Sequence, residues 1–339
     1  MALNLSKLKT NNQNICMLHL ASEKLNKYHL AYWIEIFDKY PLQISYLVRD
    51  KKSFKELIRL YPTHQILFAS TPVDVETIVN AQVLLKAVFF SLNTVKDIHL
   101  LRFNHLKHIF IGTKESKQLL QYTKAYRAYD EIWVSGQHMI DKYKSSFENV
   151  GHMNLKIIGK PQIKEIFLEN ETYENRHRVF IYLSKLPSIL FQLMHLLLSS
   201  LNRYSICLIV EQYSIINNLK MMIKGYSSKV DSYPKNKISD VLSSSFDYFI
   251  TDIDTISIAY LAYNKPLLVY VDKNIDKTTL KLDIPNDALY LFSNQEEFLE
   301  IVKNIDKDIL KSKRDYYTQY FLGKIETLED RFAQELIGL

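Results

Sequence analysis

Thr251–Ser257, TDIDTIS, places three hydroxyl side chains and two carboxylates in one short stretch, directly after the apolar run DYFI. A strand end of this composition suits a phosphate. Thr255 or Ser257 would meet it at the start of the helix expected over ISIAYLAY, where the first turn leaves backbone N–H groups free. Asp252 or Asp254 would then bind a ribose hydroxyl or orient an acceptor. The competing reading is an Asp/Thr helix cap with no ligand. A second candidate is GTKES, Gly112–Ser116. Gly112 permits a sharp turn, and Ser116 can cap the next helix and leave N–H groups for an anion, or the segment is an ordinary β-to-α turn. A third is GKP, Gly159–Pro161, where Lys160 either meets a phosphate or is an exposed lysine in a turn. In YDEIWVSGQ, Asp130 and Glu131 precede a strand that Ser135 and Gly136 end, and a plain strand with polar ends explains it best.

These segments need elements to hold them, and the apolar periodicity supplies those elements. ICMLHLA, QISYLVR, HQILFAS, KAVFFSLN, KHIFIG, EIWVSG and LKIIG read as strands. Between them, KYHLAYWIEIFDKY, KSFKELIRLY and VDVETIVNAQ carry apolar residues at helical spacing, with Pro41 as a stop and Pro72 as a start. Continuous Val/Ile/Leu/Phe strands alternating with helices predict a parallel sheet covered on both faces. The charged stretch EIFLENETYENRHR breaks the pattern, so a linker is expected near Glu169–Arg176. The pattern then resumes with VFIYLS, YSICLIV, FDYFITD, KPLLVYV and ALYLFSN as strands. The fold class is therefore α/β, with two Rossmann-like doubly wound domains. The boundaries expected are 1–168 for an acceptor-side domain and 169–310 for a nucleotide-donor domain. A C-terminal helical segment, 311–339, can pack back on the first domain or dock a partner.

The bulk numbers narrow the function classes. A chain of 339 residues accommodates two domains. Only 7 glycines are present, and neither GxGxxG nor GxxxxGK[ST] occurs, which removes the glycine-rich phosphate loops. The net charge of +6 is spread out, with short basic runs such as RDKK, Arg49–Lys52, so nucleic acid is not expected as a partner. Solvated helix faces explain those runs, and attraction to an anionic membrane is the alternative. Cys16 and Cys207 sit in apolar strands and read as buried thiols of a reducing compartment. No metal-ligand spacing appears, and no metal or cofactor is expected. The N-terminus lacks an apolar signal core. The most apolar run, Leu186–Leu201, is shorter than the ~20 residues needed to span a bilayer and contains Gln192 and His195. The expectation is a cytoplasmic protein, with peripheral placement at the inner face of the plasma membrane left open.

Together the motifs resemble the CDP-glycerol glycerophosphotransferase family, GT-B transferases of the teichoic-acid and capsule-polymerase type. HLLRFNHLKHIFIGTKESK, KAYRAYDEIWVSGQHMIDKY and GKP are similar to the family's HG-x-S-D-K loop, its YD-x-(I/L)-x-V-x-(G/S) strand and its G-x-P. FDYFITDIDTISIAYLAYNKPLLVY is similar to D-x-x-I-T-D-x-S-S followed by a helix and (D/N)-K-P-x-x-x-Y, with Asp254 and Thr255 where Ser-Ser is usual. HLASEKLNKYHLAYWIEIFDKY resembles the family's opening. The likeness runs from Ile15 to about Asp272. It implies two domains facing across a cleft, and a CDP-linked or nucleotide-sugar donor held at Thr251, Asp252, Thr255 and Ser257. It also implies an acceptor, a surface polysaccharide or a lipid-linked unit, near Gly112–Ser116.

The departures from that pattern fall at its chemical centre. The family's loop His, which looks like its general base, falls at Thr113, and the following Gly falls at Lys114. Its Asp and Lys fall at Lys117 and Gln118, while Ser116 is kept. The family's K-x-H-P reads Glu211-Gln212 here. Threonine cannot exchange a proton near neutral pH, so a base worth ~10²–10⁴-fold in rate must come from elsewhere. Glu115 is the first choice and Glu211 the second, with Lys114 supplying the positive charge that the lost His gave to phosphate. His99 and His108 are further alternatives that also read as packed structural residues. Three functions follow: an active transferase, a catalytically degenerate member acting as a binding or scaffold subunit, or a regulatory domain that binds polymer without a donor.

Overall fold

The computed structural model describes residues 15–21, 33–112, 124–161, 177–182, 204–210, 230–234 and 246–339. The chain divides into two compact units, Met1–Gln162 with Glu326–Leu339, and Ile163–Ile325. The first strand of each sheet, Cys16–Leu20 and His177–Tyr182, is a short run dominated by apolar residues, as a parallel ladder buried on both faces favours.

In the first unit the strands are β1 (Cys16–Leu20), β2 (Ile44–Val48), β3 (Gln65–Phe68), β4 (Ala87–Phe90), β5 (Lys107–Phe110), β6 (Glu131–Val134) and β7 (Leu155–Ile157). They lie in the order β3-β2-β1-β4-β5-β6-β7, every neighbouring pair parallel. Alternation sorts the side chains into two cores: Met17, Leu47, Val88 and Phe90 on one face, and Cys16, Leu18, Tyr46 and Phe89 on the other. Burial pushes the Cys16 thiol up to about 12. Both cysteines are buried and unbonded.

Local chemistry sets the helices. In α1 (Lys51–Leu60), Asp50 caps the start by accepting from the Ser53 amide at 2.6 Å. α2 (Pro72–Ala81) begins with Pro72 and a reciprocal Thr71–Asp74 capping box, and buries Val75, Ile78 and Val79. A 3-10 turn, Val95–Asp97, runs into the short α3 (Ile98–Leu101). α4 (Gln137–Ser146) buries His138, Met139 and Tyr143.

The second unit holds β8 (His177–Tyr182), β9 (Tyr204–Val210), β10 (Val230–Pro234), β11 (Tyr248–Asp252), β12 (Leu267–Tyr270) and β13 (Tyr290–Phe292), in the order β10-β9-β8-β11-β12-β13 and all parallel. β10, VDSYP, escapes a reading by apolar runs because it is polar and ends in proline, a composition that an edge strand tolerates. α5 (Gln295–Asn304) is capped by Asn294 and buries Phe298. α6 (Lys311–Leu322) buries Phe321 and Leu322 in the second unit's core, and its Thr318 hydroxyl lies 2.9 Å from the Leu261 carbonyl. α7 (Leu328–Ile337) belongs to the first unit. There Phe332 is fully buried among Trp33, Phe37, Tyr40 and Trp133, and Lys156 joins Glu335 to the buried Glu131. The returning segment therefore starts at Glu326 rather than at 311, because α6 spends its apolar face on the second core. The division between units likewise falls after Gln162 rather than after 168.

Candidate functional site

In a doubly wound sheet, ligands gather outside the carboxyl ends of the strands where the strand order reverses. That reversal lies between β1 and β4 in the first sheet and between β8 and β11 in the second. TDIDTIS occupies the second of these places. Thr251, paired with Tyr182 of β8 and Val269 of β12, is the penultimate residue of β11, and Asp252 is its last.

The loop closes on itself. Asp252 Oδ1 accepts from the amides of Asp254 (3.1 Å) and Thr255 (2.9 Å). The Thr255 hydroxyl lies 2.7 Å from the Tyr182 carbonyl oxygen and 2.8 Å from Asp252 Oδ1, and accepts from the Asp252 amide at 3.1 Å. With one proton to give, that hydroxyl serves one of its two acceptors at a time. Asp252 and Thr255 are both buried. They fix the turn and tie the end of β11 to the end of β8, while Asp254 is exposed and Ser257 half-buried. The Thr251 hydroxyl is buried and has no hydrogen-bond partner among the described residues. Five of the expected donor-side residues therefore share one loop, but they divide into groups that shape it and groups that face outward.

The helix expected over ISIAYLAY is a 3-10 helix of six residues, Ile258–Tyr263. Ser257 caps it by accepting from Ala259 N at 3.3 Å, and Asn264, at φ 47°, ends it in the left-handed region. Pro266 follows at once, leaving no room for the two or three α-turns that would make a strong terminal dipole. The helix start that the sequence reading offered to a phosphate is an Asx-type loop with a short capped 3-10 turn behind it.

Lys160 sits in the first unit, half-buried, beyond the end of β7 and just after Gly159, whose φ is 78°. Gly112 has a φ of 55°, a conformation an L side chain adopts only under strain. Thr113, Lys114, Glu115, Ser116 and Glu211 lie outside the described residues. Asp130 and Glu131 are structural. Asp130 accepts from the His108 amide at 2.7 Å, and Glu131 binds Lys107 (2.8 Å), Lys156 (3.0 Å) and the Trp133 indole (2.8 Å).

The first reversal point carries a network that sequence reasoning did not assemble. Asp97, 1% exposed, accepts from Thr94 N (2.7 Å), the Thr94 hydroxyl (3.0 Å) and the Tyr129 hydroxyl (3.0 Å). His19, near the end of β1, places Nδ1 3.1 Å from Asp97 Oδ1, off the axis of a well-aligned hydrogen bond, and its Nε2 has no partner among the described residues. Burial lowers the His19 pKa, against the pull of Asp97, so the imidazole is neutral beside a carboxylate. Arg49, after β2, donates to the Ala69 carbonyl at 2.7 Å and meets His99 Nδ1 at 3.1 Å. His108, which donates to the Leu100 carbonyl at 3.1 Å, is a packed structural residue. The only sequence signal for this group was polar residues recurring just past strand ends. Among the described residues, no three His, Cys, Asp or Glu side chains are grouped to hold a metal ion, and no helix is long and apolar enough to cross a membrane.

No family model and no curated protein matches the sequence. The backbone does match solved structures. One is the wall teichoic acid polymerase TagF soaked with CDPG, at a TM-score of 0.54 and 12% identity, covering 99% of this chain and 90% of that one. Another is a putative UDP-N-acetylglucosamine 2-epimerase from Listeria monocytogenes, at a TM-score of 0.59 and 10% identity over 96% of each chain. A third is HepE from Anabaena in complex with UDP and glucose, at 0.50 and 14%, covering 96% of this chain and all of that one. The chain has a GT-B-type fold. At such identities a match defines architecture, while function has to be argued from the site.

Proposed function

We propose that the protein is a nucleotide-dependent transferase that moves a glycosyl or glycerophosphoryl unit from a nucleotide-activated donor to a bacterial surface polysaccharide or its lipid-linked precursor. The observation that carries this reading is the self-closed Asp252–Thr255 loop at the reversal point of the second sheet, where a GT-B fold offers room for a nucleotide. Asp254 and Ser257 would contact the donor, and Thr251 would offer its unspent hydroxyl. Asp252 and Thr255 would hold the loop in shape. Two of the matched structures contain UDP or were soaked with CDPG, which favours a nucleoside diphosphate as the group to test first.

On the acceptor side the assignment rests on the sequence. Glu115 is the first candidate for the proton acceptor and Glu211 the second. Lys114 and Lys160 would neutralise phosphate, Ser116 would bind it, and Thr113 stands where the resembled family keeps its His. No metal or further cofactor enters this reading. The chain would act in the cytoplasm, either free or at the inner face of the plasma membrane.

A thermal-shift series with CDP, CMP, UDP and GDP tests the proposal. A nucleotide at about 100 times its dissociation constant adds about 2.7 kcal/mol of stability. If one binds, Glu115→Gln should abolish transfer and leave affinity intact; full activity in that variant would reject Glu115. The second reading, a scaffold subunit, is favoured by Thr113 and Glu211 at the two histidine positions. It predicts no turnover with any donor, even where a nucleotide binds.

A further inference from the structure

We propose that the amino edge of the second sheet carries a saccharide-binding pocket, separate from the donor loop. A cavity of about 470 Å³ lies there, between the starts of β11 and β12, the end of the 3-10 helix Ile258–Tyr263 and the start of α6. That volume falls within the range of small-molecule sites, about 300–1,000 Å³. β11 separates the pocket from TDIDTIS. Tyr248 opens the strand and Asp252 closes it, and a rise of ~3.3 Å per residue puts ~13 Å between them. A parallel sheet keeps its chemistry at the carboxyl edge, so this cavity is not part of the transfer site. Two left-handed residues shape its walls. Asn264, at φ 47°, turns the chain toward Pro266 and β12, and Asp308, at φ 30°, turns it toward α6.

The lining selects the ligand. Asp247, Asp306 and Asp308 bring carboxylates to it, and Lys265 and Lys311 bring ammonium groups. Arg314, fully buried, pairs with Asp308 and balances the charge. An anion would have to lie beside the carboxylates and a cation beside the lysines, so the net charge favours neither. A ligand dense in hydroxyls suits both, since each O–H donates to a carboxylate and accepts from an ammonium group. Lys265, Asp306 and Lys311 are exposed, and their side chains make no salt bridge among the described residues, so their polar ends are open to such a ligand. Tyr248, Tyr263, Pro266 and Ile305 add apolar wall for the C–H face of a sugar ring. On the transferase reading, the pocket holds polymer already made while its end is extended at the donor loop. That role rests on the proposed function; the binding itself does not.

The test is saturation-transfer NMR of the full chain with the methyl glycosides of glucose, galactose, mannose and N-acetylglucosamine, and with glycerol phosphate as the anionic comparison. At least one glycoside should receive saturation, and saturating UDP should not displace it. The double variant Lys265→Ala with Asp306→Ala should weaken that binding by about tenfold while melting like the parent, since both side chains are exposed. No saturation of any glycoside, binding that survives the double variant, or displacement by UDP would overturn the proposal. So would a preference for glycerol phosphate, which would make the pocket an anion site. The glycoside signal needs no nucleotide, so the failure of the pocket and the failure of the transferase reading are separate results.

Discussion

At the first sheet's reversal point Asp97 collects Thr94 from its own turn and Tyr129 and His19 from two distant segments, whereas at the second Asp252 collects Asp254 and Thr255 from its own loop alone. Both arrangements bury a carboxylate beside two parallel strands and satisfy it with N–H and O–H donors. The difference is one of sequence distance. The first knot exists only once β1, the 3-10 turn and the Tyr129 segment have come together, so it reports and supports the tertiary fold of its unit. The second can form as soon as β11 ends, and only its link from Thr255 to the Tyr182 carbonyl reaches another strand.

Removing the centre of each knot should separate them. Asp97→Ala leaves the buried Tyr129 hydroxyl and the half-buried Thr94 amide and hydroxyl without their acceptor, and should cost about 3–5 kcal/mol, read as a shift in the urea midpoint of the first unit. Asp252→Ala should cost less, about 1–3 kcal/mol, because its donors lie next to a loop that can relax toward water. Equal losses would mean that the second knot is as tertiary as the first.

Acid should distinguish the units next. Burial holds His19, His99 and His108 below their ordinary 6.5, so the unfolded chain takes up protons first as pH falls. The stability these neutral imidazoles contribute is complete above pH 6.5 and is lost as the pH drops from there toward their folded values. In the second unit the described shifts include Asp287 and Glu297, held low by hydrogen bonds from Lys313 and Lys277. Their contribution persists above their unfolded values of 3.8 and 4.5 and fades only as the pH falls through the lower folded ones. Amide protection, corrected for the slower intrinsic exchange in acid, should therefore fall between pH 6.5 and 5 in the first sheet and not in the second, and His19→Gln should flatten part of that slope. The smallest effect expected is Ser257→Ala, at most about 1 kcal/mol, since it removes one half-buried cap from a short helix.

The same contrast governs what the sequence revealed. The parallel strands of both units, β10 apart, were legible because strands buried on both faces are continuous apolar runs. TDIDTIS stood out because its partners lie two and three residues apart. His19 did not, since nothing in ICMLHLA tells a packed histidine from one facing Asp97, 78 positions later. The helix beyond Ser257 was misread for a local reason: the periodicity of ISIAYLAY is helical, but the Asn264 stop and Pro266 leave it six residues. The placement of α7 depended on Phe332 finding Trp33, Phe37 and Trp133, a contact that no local pattern encodes.

The central claim is that a nucleotide lodges at the loop beyond β11. Amide exchange of the full chain with and without saturating UDP or CDP tests it directly. The account predicts saturable binding, with exchange slowed across Thr251–Ser257 and the slowing reduced in Asp254→Ala. No binding of any nucleoside diphosphate, or binding that leaves the exchange of that loop unchanged, would contradict it.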